Sequence, residues 1–440
     1  MMHQLTFAQK ISYAIGGLAL NLANLAISQW LLKLYVPSKD TALVDSTLFA
    51  AIFLIGRCVD GVTEPIAGFL SDHHRSRRGR RIPFIMAMAI PTAVVTFLLW
   101  TPPFPHEMHW VNAVYVFTLV QLFFIFWSLL ANPYMALLPE ITTDLQERVN
   151  ISTLQAVFLM LGTLIFGIMG PIKAARGWIG IGIVTGALTF LSFMPTIFMI
   201  KEKSSITSSS SQERLRFTTI FHWTRTTFKN RAFLFLLAAN AFLWFSLNMI
   251  ILLVPFWVQY VLGRTDREVV LLMAPLLGSN IVCFFVFNFL ANHYGKYPVY
   301  LLTLASSAVT MALLAVVGLF PVGDAMLQSQ IAMGFIGLPV AGIMILPPAL
   351  LSDVIDYDET LTGKRREGIY VGVQAIFQKI AIGISIAVAT VLMYTGGTTK
   401  PTETGLKMIA LTAAISALIA CIIFTRYPIR EKDGKTYLKD

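Results

Sequence analysis

Apolar runs of about 20 residues or more recur along the whole chain, separated by short polar segments. A helix needs about 20 mostly apolar residues to cross a bilayer, so each run predicts one membrane-spanning helix. With 56% hydrophobic and 13% charged residues, the composition excludes an ordinary soluble protein, in which charged residues reach about a quarter. We therefore predict an all-α membrane protein with twelve transmembrane helices. The predicted spans cover residues 11–35, 47–71, 82–101, 111–138, 151–172, 179–200, 231–261, 268–292, 297–318, 328–351, 368–394 and 405–426.

The longest polar segment, residues 201–230, divides the predicted spans into two sets of six. It contains the serine-rich tract Ser204–Ser211, which is typical of a flexible linker. The predicted domains are a six-helix bundle over residues 1–200, a cytoplasmic linker over 201–230, a second six-helix bundle over 231–426 and a cytoplasmic tail over 427–440.

The two halves share a short loop pattern. The segment Asp72–Pro83 after the second span has a shorter counterpart in Asn292–Pro298 after the eighth, and both contain Gly, a basic residue and then Pro. Two six-span halves with equivalent loops are typical of secondary transporters built from repeats.

The basic residues indicate the orientation in the membrane. With both termini cytoplasmic, 23 of the 33 Lys and Arg residues lie inside and 7 outside, as the positive-inside rule requires. The net charge of +10 therefore reflects membrane topology, and no nucleic-acid partner is expected. We expect a monomer in the lipid bilayer of the cell membrane.

Three ionisable residues lie within the second predicted span. Arg57, Asp60 and Glu64 are spaced three and four residues apart, so they share one helical face. Charges at this depth are costly unless they pair or line a polar cavity, which favours a functional site. The two carboxylates, with Thr63 as a neutral oxygen, could bind a cation such as Na⁺ or share a proton. A purely structural Arg–Asp pair is the alternative.

Two lysines also lie within predicted spans. Lys379 is about a third of the way into the eleventh span, where the carboxylates of Asp60 and Glu64 would compensate its charge if the two spans meet. The alternative for Lys379 is that its side chain extends to the cytoplasmic interface. Lys33 lies near the outer end of the first span, where extension to the interface is the expectation.

Uncharged polar residues on several spans suggest a moderately polar cavity. Asn21, Asn24 and Ser28 follow helical spacing in the first span, as do Gln121, Ser128 and Asn132 in the fourth. An interhelical hydrogen bond is the alternative for each of them. The other candidates for contact with a solute are Gln155, Trp244, Asn248 and Gln374.

No motif of an enzyme is present in the sequence. A phosphate-binding Gly-x-x-x-x-Gly-Lys-Ser/Thr loop is absent, which argues against direct use of ATP, and so are a nucleophile elbow and His-Glu-x-x-His. We expect no enzymatic activity and no cofactor beyond a coupling ion.

Three segments carry a resemblance to a known family: Gly56–Phe84, Asn132–Glu140 and Ser352–Gly368. With them the chain resembles the glycoside-pentoside-hexuronide:cation symporters of the major facilitator superfamily, which include the melibiose carrier and, more distantly, lysophospholipid carriers. The resemblance implies the major facilitator fold, with the solute bound between two six-helix halves.

The resemblance also implies roles for individual residues. Asp60 and Glu64 match the family's paired carboxylates that bind the coupling cation. Arg57 matches the family's arginine in the second span, and Lys379 matches its lysine in the eleventh span. Thr63 stands where the melibiose carrier has Asn, and Glu64 where it has Asp. Both differences affect the choice between Na⁺ and H⁺.

The positions that bind sugar in the melibiose carrier differ more. Its two sugar-binding aspartates correspond to Asn21 and Ala131, and its arginine corresponds to Ala156, beside Gln155. The two tryptophans near its sugar correspond to Met135 and Met344. The loss of acidic groups weakens the case for a galactoside.

We therefore expect cation-coupled symport of a small organic solute, a sugar or glycoside, by alternating access. Transport of an amphipathic lipid such as a lysophospholipid is the alternative, and a non-transporting sensor with the same fold is a third.

Overall fold

The computed structural model describes residues 5–38, 40–142, 144–202, 227–319, 321, 323–363, 367–394, 399–432 and 435–438. The chain forms two compact units, Met1–Gln212 (unit 1) and Glu213–Asp440 (unit 2). Most of the predicted linker, residues 203–226, lies outside the described residues.

Both units are built from long apolar helices. Unit 1 contains α1 (Phe7–Ala14), α2 (Gly16–Tyr35), α3 (Ser46–His73), α4 (Ile82–Leu98), α5 (Trp110–Ile141), α6 (Leu145–Gly167) and α7 (Met169–Met199). Unit 2 contains α8 (Arg231–Tyr260), α9 (Val269–Tyr294), α10 (Lys296–Ala315), α11 (Ala325–Thr362), α12 (Glu367–Met393), α13 (Glu403–Phe424) and the strands β1 (Ile429–Lys432) and β2 (Lys435–Leu438).

Each of the twelve predicted spans corresponds to helix in the structure. Within the described residues, eleven helices are long and apolar enough to cross a membrane, with α1 and α2 counted together as one span. The twelfth, α4, has 17 residues and so is about 26 Å long, which is at the short end of what crosses a bilayer. The prediction of a twelve-helix, all-α membrane region is confirmed.

Small residues allow the helices of unit 1 to pack closely. Helix α3 packs on α5, α2 on α6, and α4 on α7. At Gly162, an added Cβ would lie 2.6 Å from the carbonyl oxygen of Leu18, and at Gly186 it would lie 3.0 Å from that of Ala93. Glycine is required where backbones approach this closely, as in other membrane helix pairs.

Unit 2 has its own core. Helix α9 packs on α11, and α13 packs on both α8 and α10. Tyr300 and Phe424 are fully buried and meet edge to face, with ring centroids 4.7 Å apart. Gly337 of α11 lies against the backbone of α9 at Leu276.

Two predicted boundaries were wrong. Residues 173–178 were predicted as a loop; Lys173 and Arg176 are helical, and the helix is interrupted within this segment at Gly177, where φ is +66° and ψ is −164°. The acidic motif that begins at Ser352 is also helical, since α11 continues to Thr362 and ends at Gly363 in the left-handed conformation. In both places polar residues continue a helix beyond the apolar run, and a glycine takes the positive φ.

The predicted tail contains an antiparallel hairpin of β1 and β2. Just before β1, Tyr427 is buried, and within β1 the guanidinium of Arg430 lies 3.4 Å from the ring centroid of Tyr297 at the start of α10. The tail is therefore packed on unit 2 at its first residues.

The two loops that resemble each other in sequence make the same contact. In unit 1, Gly79 with φ +97° precedes Arg80, whose Nη2 is 2.8 Å from Oε1 of Glu140 near the end of α5. In unit 2, Gly295 with φ +84° precedes Lys296, whose Nζ is 2.6 Å from Oδ1 of Asp353 on α11. Each loop ties the start of one helix to the following helix.

A buried carboxylate holds the first residues of unit 1. Glu147 accepts hydrogen bonds from the backbone N–H of Leu5 and the hydroxyl of Thr142, and its Oε1 is 3.0 Å from Nζ of Lys10. Burial alone would raise the pKa of Glu147, but these hydrogen bonds and the charge of Lys10 lower it by more, so the pKa lies below its ordinary value.

Glu147→Gln is expected to lower the free energy of unfolding by about 1–3 kcal/mol at neutral pH, because charged hydrogen bonds are lost. The pKa of Glu147 is depressed in the folded state, so its stabilising contribution is complete above about pH 4.3 and is lost as the pH falls through the folded value. The difference in unfolding free energy between the wild type and Glu147→Gln should therefore decrease as the pH falls. Thermal unfolding in nanodiscs across this pH range measures the difference.

Glu268→Gln is the matched control for this experiment. Glu268 pairs with Arg264 at a partly exposed i,i+4 position, where the pair contributes about 0–1 kcal/mol. Equal losses of unfolding free energy in Glu147→Gln and Glu268→Gln would contradict the stabilising role of Glu147.

Candidate functional site

The candidate site lies halfway along α3. The carboxylate of Asp45 caps this helix by accepting the backbone N–H groups of Thr47 and Leu48. Asp60 follows 15 residues later and so lies about 22 Å along a helix of about 42 Å. The helix thus places Arg57, Asp60 and Glu64 near the middle of the apolar layer.

Arg57 and Asp60 form a buried ion pair. Their exposed fractions are 5% and 2%, and Nη1 of Arg57 is 3.6 Å from Oδ2 of Asp60. Nη2 of Arg57 donates a hydrogen bond of 2.7 Å to the hydroxyl of Ser28 on α2, and the guanidinium lies 4.7 Å from the ring centroid of Phe124. Arg57 is therefore held by two other helices besides its carboxylate.

Neutral oxygens gather beside Asp60. The hydroxyl of Ser128 on α5 donates to Oδ1 of Asp60 at 2.9 Å, and Oγ1 of Thr63 is 3.1 Å from the same hydroxyl oxygen. Carboxylate and hydroxyl oxygens are the ligands that hard cations prefer. The described residues thus bring together several oxygens around one buried carboxylate.

Glu64 lies one turn beyond Asp60 and is half-buried. Its backbone carbonyl accepts a hydrogen bond of 3.3 Å from Asn132 on α5. Pro65 has no N–H, so the carbonyl of Gly61 on α3 lacks its usual helical donor. In the described part of the chain, no three His, Cys, Asp or Glu side chains are grouped as a metal site. The chemistry here suits Na⁺ or a proton.

Four predicted polar candidates in unit 1 make hydrogen bonds within that unit. Asn21 donates to the carbonyl of Leu159 at 2.9 Å and to Thr163, both on α6. Asn24 donates to a carbonyl of its own helix, and Gln121 donates to the carbonyl of Ile52 on α3. Gln155 donates to Oη of Tyr134 at 3.3 Å. The bonds of Asn21, Gln121 and Gln155 join different helices, as in the alternative stated above, whereas the bond of Asn24 lies within α2.

The other predicted solute contacts differ in exposure. Ala131 is buried, whereas Met135 is 52% and Met344 is 47% exposed. In unit 2, Asn248 donates to the backbone carbonyl of Trp244 at 3.0 Å. Gln374 and Lys379 are half-buried on α12, and Oε1 of Gln374 has no hydrogen-bond donor among the described residues.

The sequence identified the helix face of Ser128 but not its contact with Asp60, and it missed Phe124 altogether. A helical repeat shows which side chains share a face, whereas the contact requires α3 and α5 to be neighbours. The glycine at position 56 was the available signal in the sequence, since small residues mark close helix contacts, and in the structure a Cβ there would lie 2.8 Å from Phe124.

The expectation for Lys33 was wrong. Its side chain is 2% exposed and lies beside Trp30, with Nζ 5.5 Å from the ring centroid. Packing against an aromatic ring inside unit 1 replaces extension to the interface.

The family model described as MFS/sugar transport protein matches residues 12–431, nearly the whole chain. The chain belongs to this family. The predicted resemblance to major facilitator symporters is confirmed by this match and by the relatives below.

Several curated relatives match most of the chain. The isoprimeverose transporter of Lactiplantibacillus pentosus is 24% identical, covering 89% of this chain and 81% of the relative. Sodium-dependent lysophosphatidylcholine symporter 1 of Gallus gallus is 25% identical, with coverage of 99% and 90%. The uncharacterized symporter YnaJ of Bacillus subtilis is 26% identical, with coverage of 99% and 95%. These relatives are transporters, not enzymes.

A solved structure supports the fold. The crystal structure of the nucleoside transporter NupG matches with a TM-score of 0.68 at 12% identity, over 96% of this chain and 98% of that chain. At this identity the likeness shows the transporter fold alone.

Proposed function

We propose that this protein is a secondary active transporter that carries a small organic solute, a sugar or glycoside, together with Na⁺ or H⁺ by alternating access. The observation that supports this most is the buried Asp60, with Arg57 on one side and the hydroxyls of Ser128 and Thr63 on the other. A buried carboxylate in a transporter of this family is the natural site for a coupling ion.

The geometry supports an exchange of partners at Asp60. The 3.6 Å separation from Arg57 is longer than a charged hydrogen bond, which is usually about 2.7–2.9 Å. In our proposal Arg57 compensates Asp60 when the cation is absent, and the cation takes over that role when it binds between Asp60 and Glu64. Thr63 supplies a neutral oxygen. Lys379 remains a proposed charge partner of the same carboxylates.

The names of the relatives support two alternative classes of solute. An isoprimeverose transporter supports a sugar or glycoside, and sodium-dependent lysophosphatidylcholine symporters support an amphipathic lipid and coupling to Na⁺. The family description favours sugar, so we take it as the main proposal. The exposed side chains of Met135 and Met344 favour the lipid, since methionine adapts to irregular apolar ligands.

We also propose that the protein is a monomer in the cell membrane with both termini in the cytoplasm. The excess of Lys and Arg on that side supports this orientation.

Transport into proteoliposomes tests the proposal. Labelled isoprimeverose and labelled lysophosphatidylcholine are offered separately, under an imposed Na⁺ gradient, an imposed H⁺ gradient, or neither. We expect one solute to accumulate above its equilibrium level only under one of the gradients. Accumulation of the lipid alone would establish the alternative, and absence of flux for both would favour a sensor over a transporter for these solutes.

A further inference from the structure

Unit 1 carries an apolar groove between α4 and α7, with a volume of about 440 Å³. Ile90 and Val94 of α4 and Ile183 of α7 line it and are 59%, 48% and 55% exposed. Gly186 allows the two backbones to approach, so the bottom of the groove is formed by small residues. In a membrane-spanning unit, an exposed apolar surface of this kind faces hydrocarbon chains.

One end of the groove leads to an aromatic cluster. Trp178 lies four residues before Gly182, which lines the groove, so both share one face of α7. Trp100 lies three residues after Phe97, another lining residue, and stacks on Trp178 with centroids 6.1 Å apart and an interplanar angle of 10°. The groove and the indole pair therefore form one continuous strip.

Two lysines lie against this aromatic cluster. Nζ of Lys173 is 4.3 Å from the ring centroid of Trp178 and 5.9 Å from that of Trp30, and Nζ of Lys33 is 5.5 Å from Trp30. The buried Nε1 atoms of Trp30 and Trp100 have no hydrogen-bond acceptor in the described part of the chain. Lys33 and both indole N–H groups are enclosed, so Lys173, beside the half-buried Trp178, is the cation at this end of the apolar groove.

The length of the strip matches one leaflet. From Trp178 to Phe190, α7 rises about 18 Å, and one leaflet contributes about half of a hydrocarbon core of about 30 Å. A single acyl chain extends over a similar distance.

We propose that this groove binds one anionic phospholipid of the bilayer, with an acyl chain along α4 and α7 and the phosphate beside Lys173. Phosphate oxygens accept hydrogen bonds and complement the ammonium group of Lys173. The leaflet is the one farther from residues 74–81, because Trp100 follows the opposite end of α4. The site lies within unit 1 and does not depend on which solute is transported.

Native mass spectrometry of the delipidated full chain tests this site. The protein is titrated with phosphatidylglycerol or with phosphatidylcholine of the same chain length. We expect one phosphatidylglycerol to bind more tightly than phosphatidylcholine. Lys173→Gln should reduce that preference about fivefold, as expected for one lysine near an anionic lipid. Ala187→Phe places a ring in the groove from an exposed position and should weaken both lipids.

Two control variants distinguish local from general effects. Lys407→Gln removes a lysine that pairs with Glu403 in unit 2, and Val309→Phe adds a ring at an exposed apolar position of α10. Both should bind lipid as the wild type does.

Three outcomes would overturn the proposal. The first is equal affinity for the two lipids in the wild type, unaffected by Lys173→Gln. The second is binding of glycerol phosphate as tight as that of the lipid, which would show an anion site without the groove. The third is competition by lysophosphatidylcholine together with loss of its transport in Ala187→Phe, which would make the groove part of a transport route.

Discussion

Asp60→Asn should abolish cation-coupled accumulation of the solute in a protein that still folds. The amide has no charge to attract a cation or to bind a proton, so the coupling free energy is lost. Such couplings are typically about 1–3 kcal/mol, and we expect accumulation to fall by up to about 100-fold. Solute uptake into proteoliposomes, under the ion gradient that drives accumulation in the wild type, measures this decrease in accumulation.

The same variant leaves the buried guanidinium of Arg57 without its carboxylate. Breaking a buried pair in this way costs about 3–5 kcal/mol, although Ser28 and Phe124 retain Arg57 in place. The double variant Arg57→Met with Asp60→Asn should recover stability but not accumulation.

Asp45→Asn is the matched control for the same chemical change on α3, because Asn caps a helix about as well as Asp. It should leave both stability and accumulation unchanged. Normal gradient-driven accumulation by Asp60→Asn would remove this residue from the coupling site.

Gly337→Ala should destabilise unit 2 strongly. A Cβ at this position would overlap with the carbonyl oxygen of Leu276, which belongs to the backbone of α9 and cannot rotate away. Forcing α9 and α11 apart costs about 1–3 kcal/mol or more, as in other overpacked cores. The melting temperature of the purified protein in nanodiscs should fall clearly.

Gly334→Ala, one turn earlier on α11, is the control. Its Cβ would lie 3.6 Å from Pro275, an ordinary contact, and alanine is favoured over glycine within a helix by about 1 kcal/mol. The two variants should therefore shift the melting temperature in opposite directions. Equal shifts would show that the α9–α11 contact adjusts freely.

The sequence predicted the helices and the face of α3 because both depend on local spacing. Arg57, Asp60 and Glu64 share a face in any α-helix, and an apolar run of sufficient length predicts a span wherever it occurs. The hydrogen bond between Ser128 and Asp60 could not be predicted in the same way, since it depends on packing between helices far apart in sequence.

The same reason explains what was missed around α7. Lys173 and Arg176 looked like a loop because a polar residue at a span end is compatible with either loop or helix. Trp30 and Trp178 lie on α2 and α7, and Trp100 lies just after α4, so no spacing in the sequence indicates that they meet. The tail hairpin was detectable, because Asp433-Gly434 between two β-prone segments is a common hairpin signal.

The paired loop contacts do not depend on the length of the loop. Helices α9 and α10 are joined by Gly295 alone, whereas residues 74–81 separate α3 from α4. Despite this difference in length, a left-handed glycine and the basic residue after it reach an acid on the following helix in both units. The positive φ of the glycine, and not the number of residues before it, therefore directs the basic side chain to the acid on the following helix.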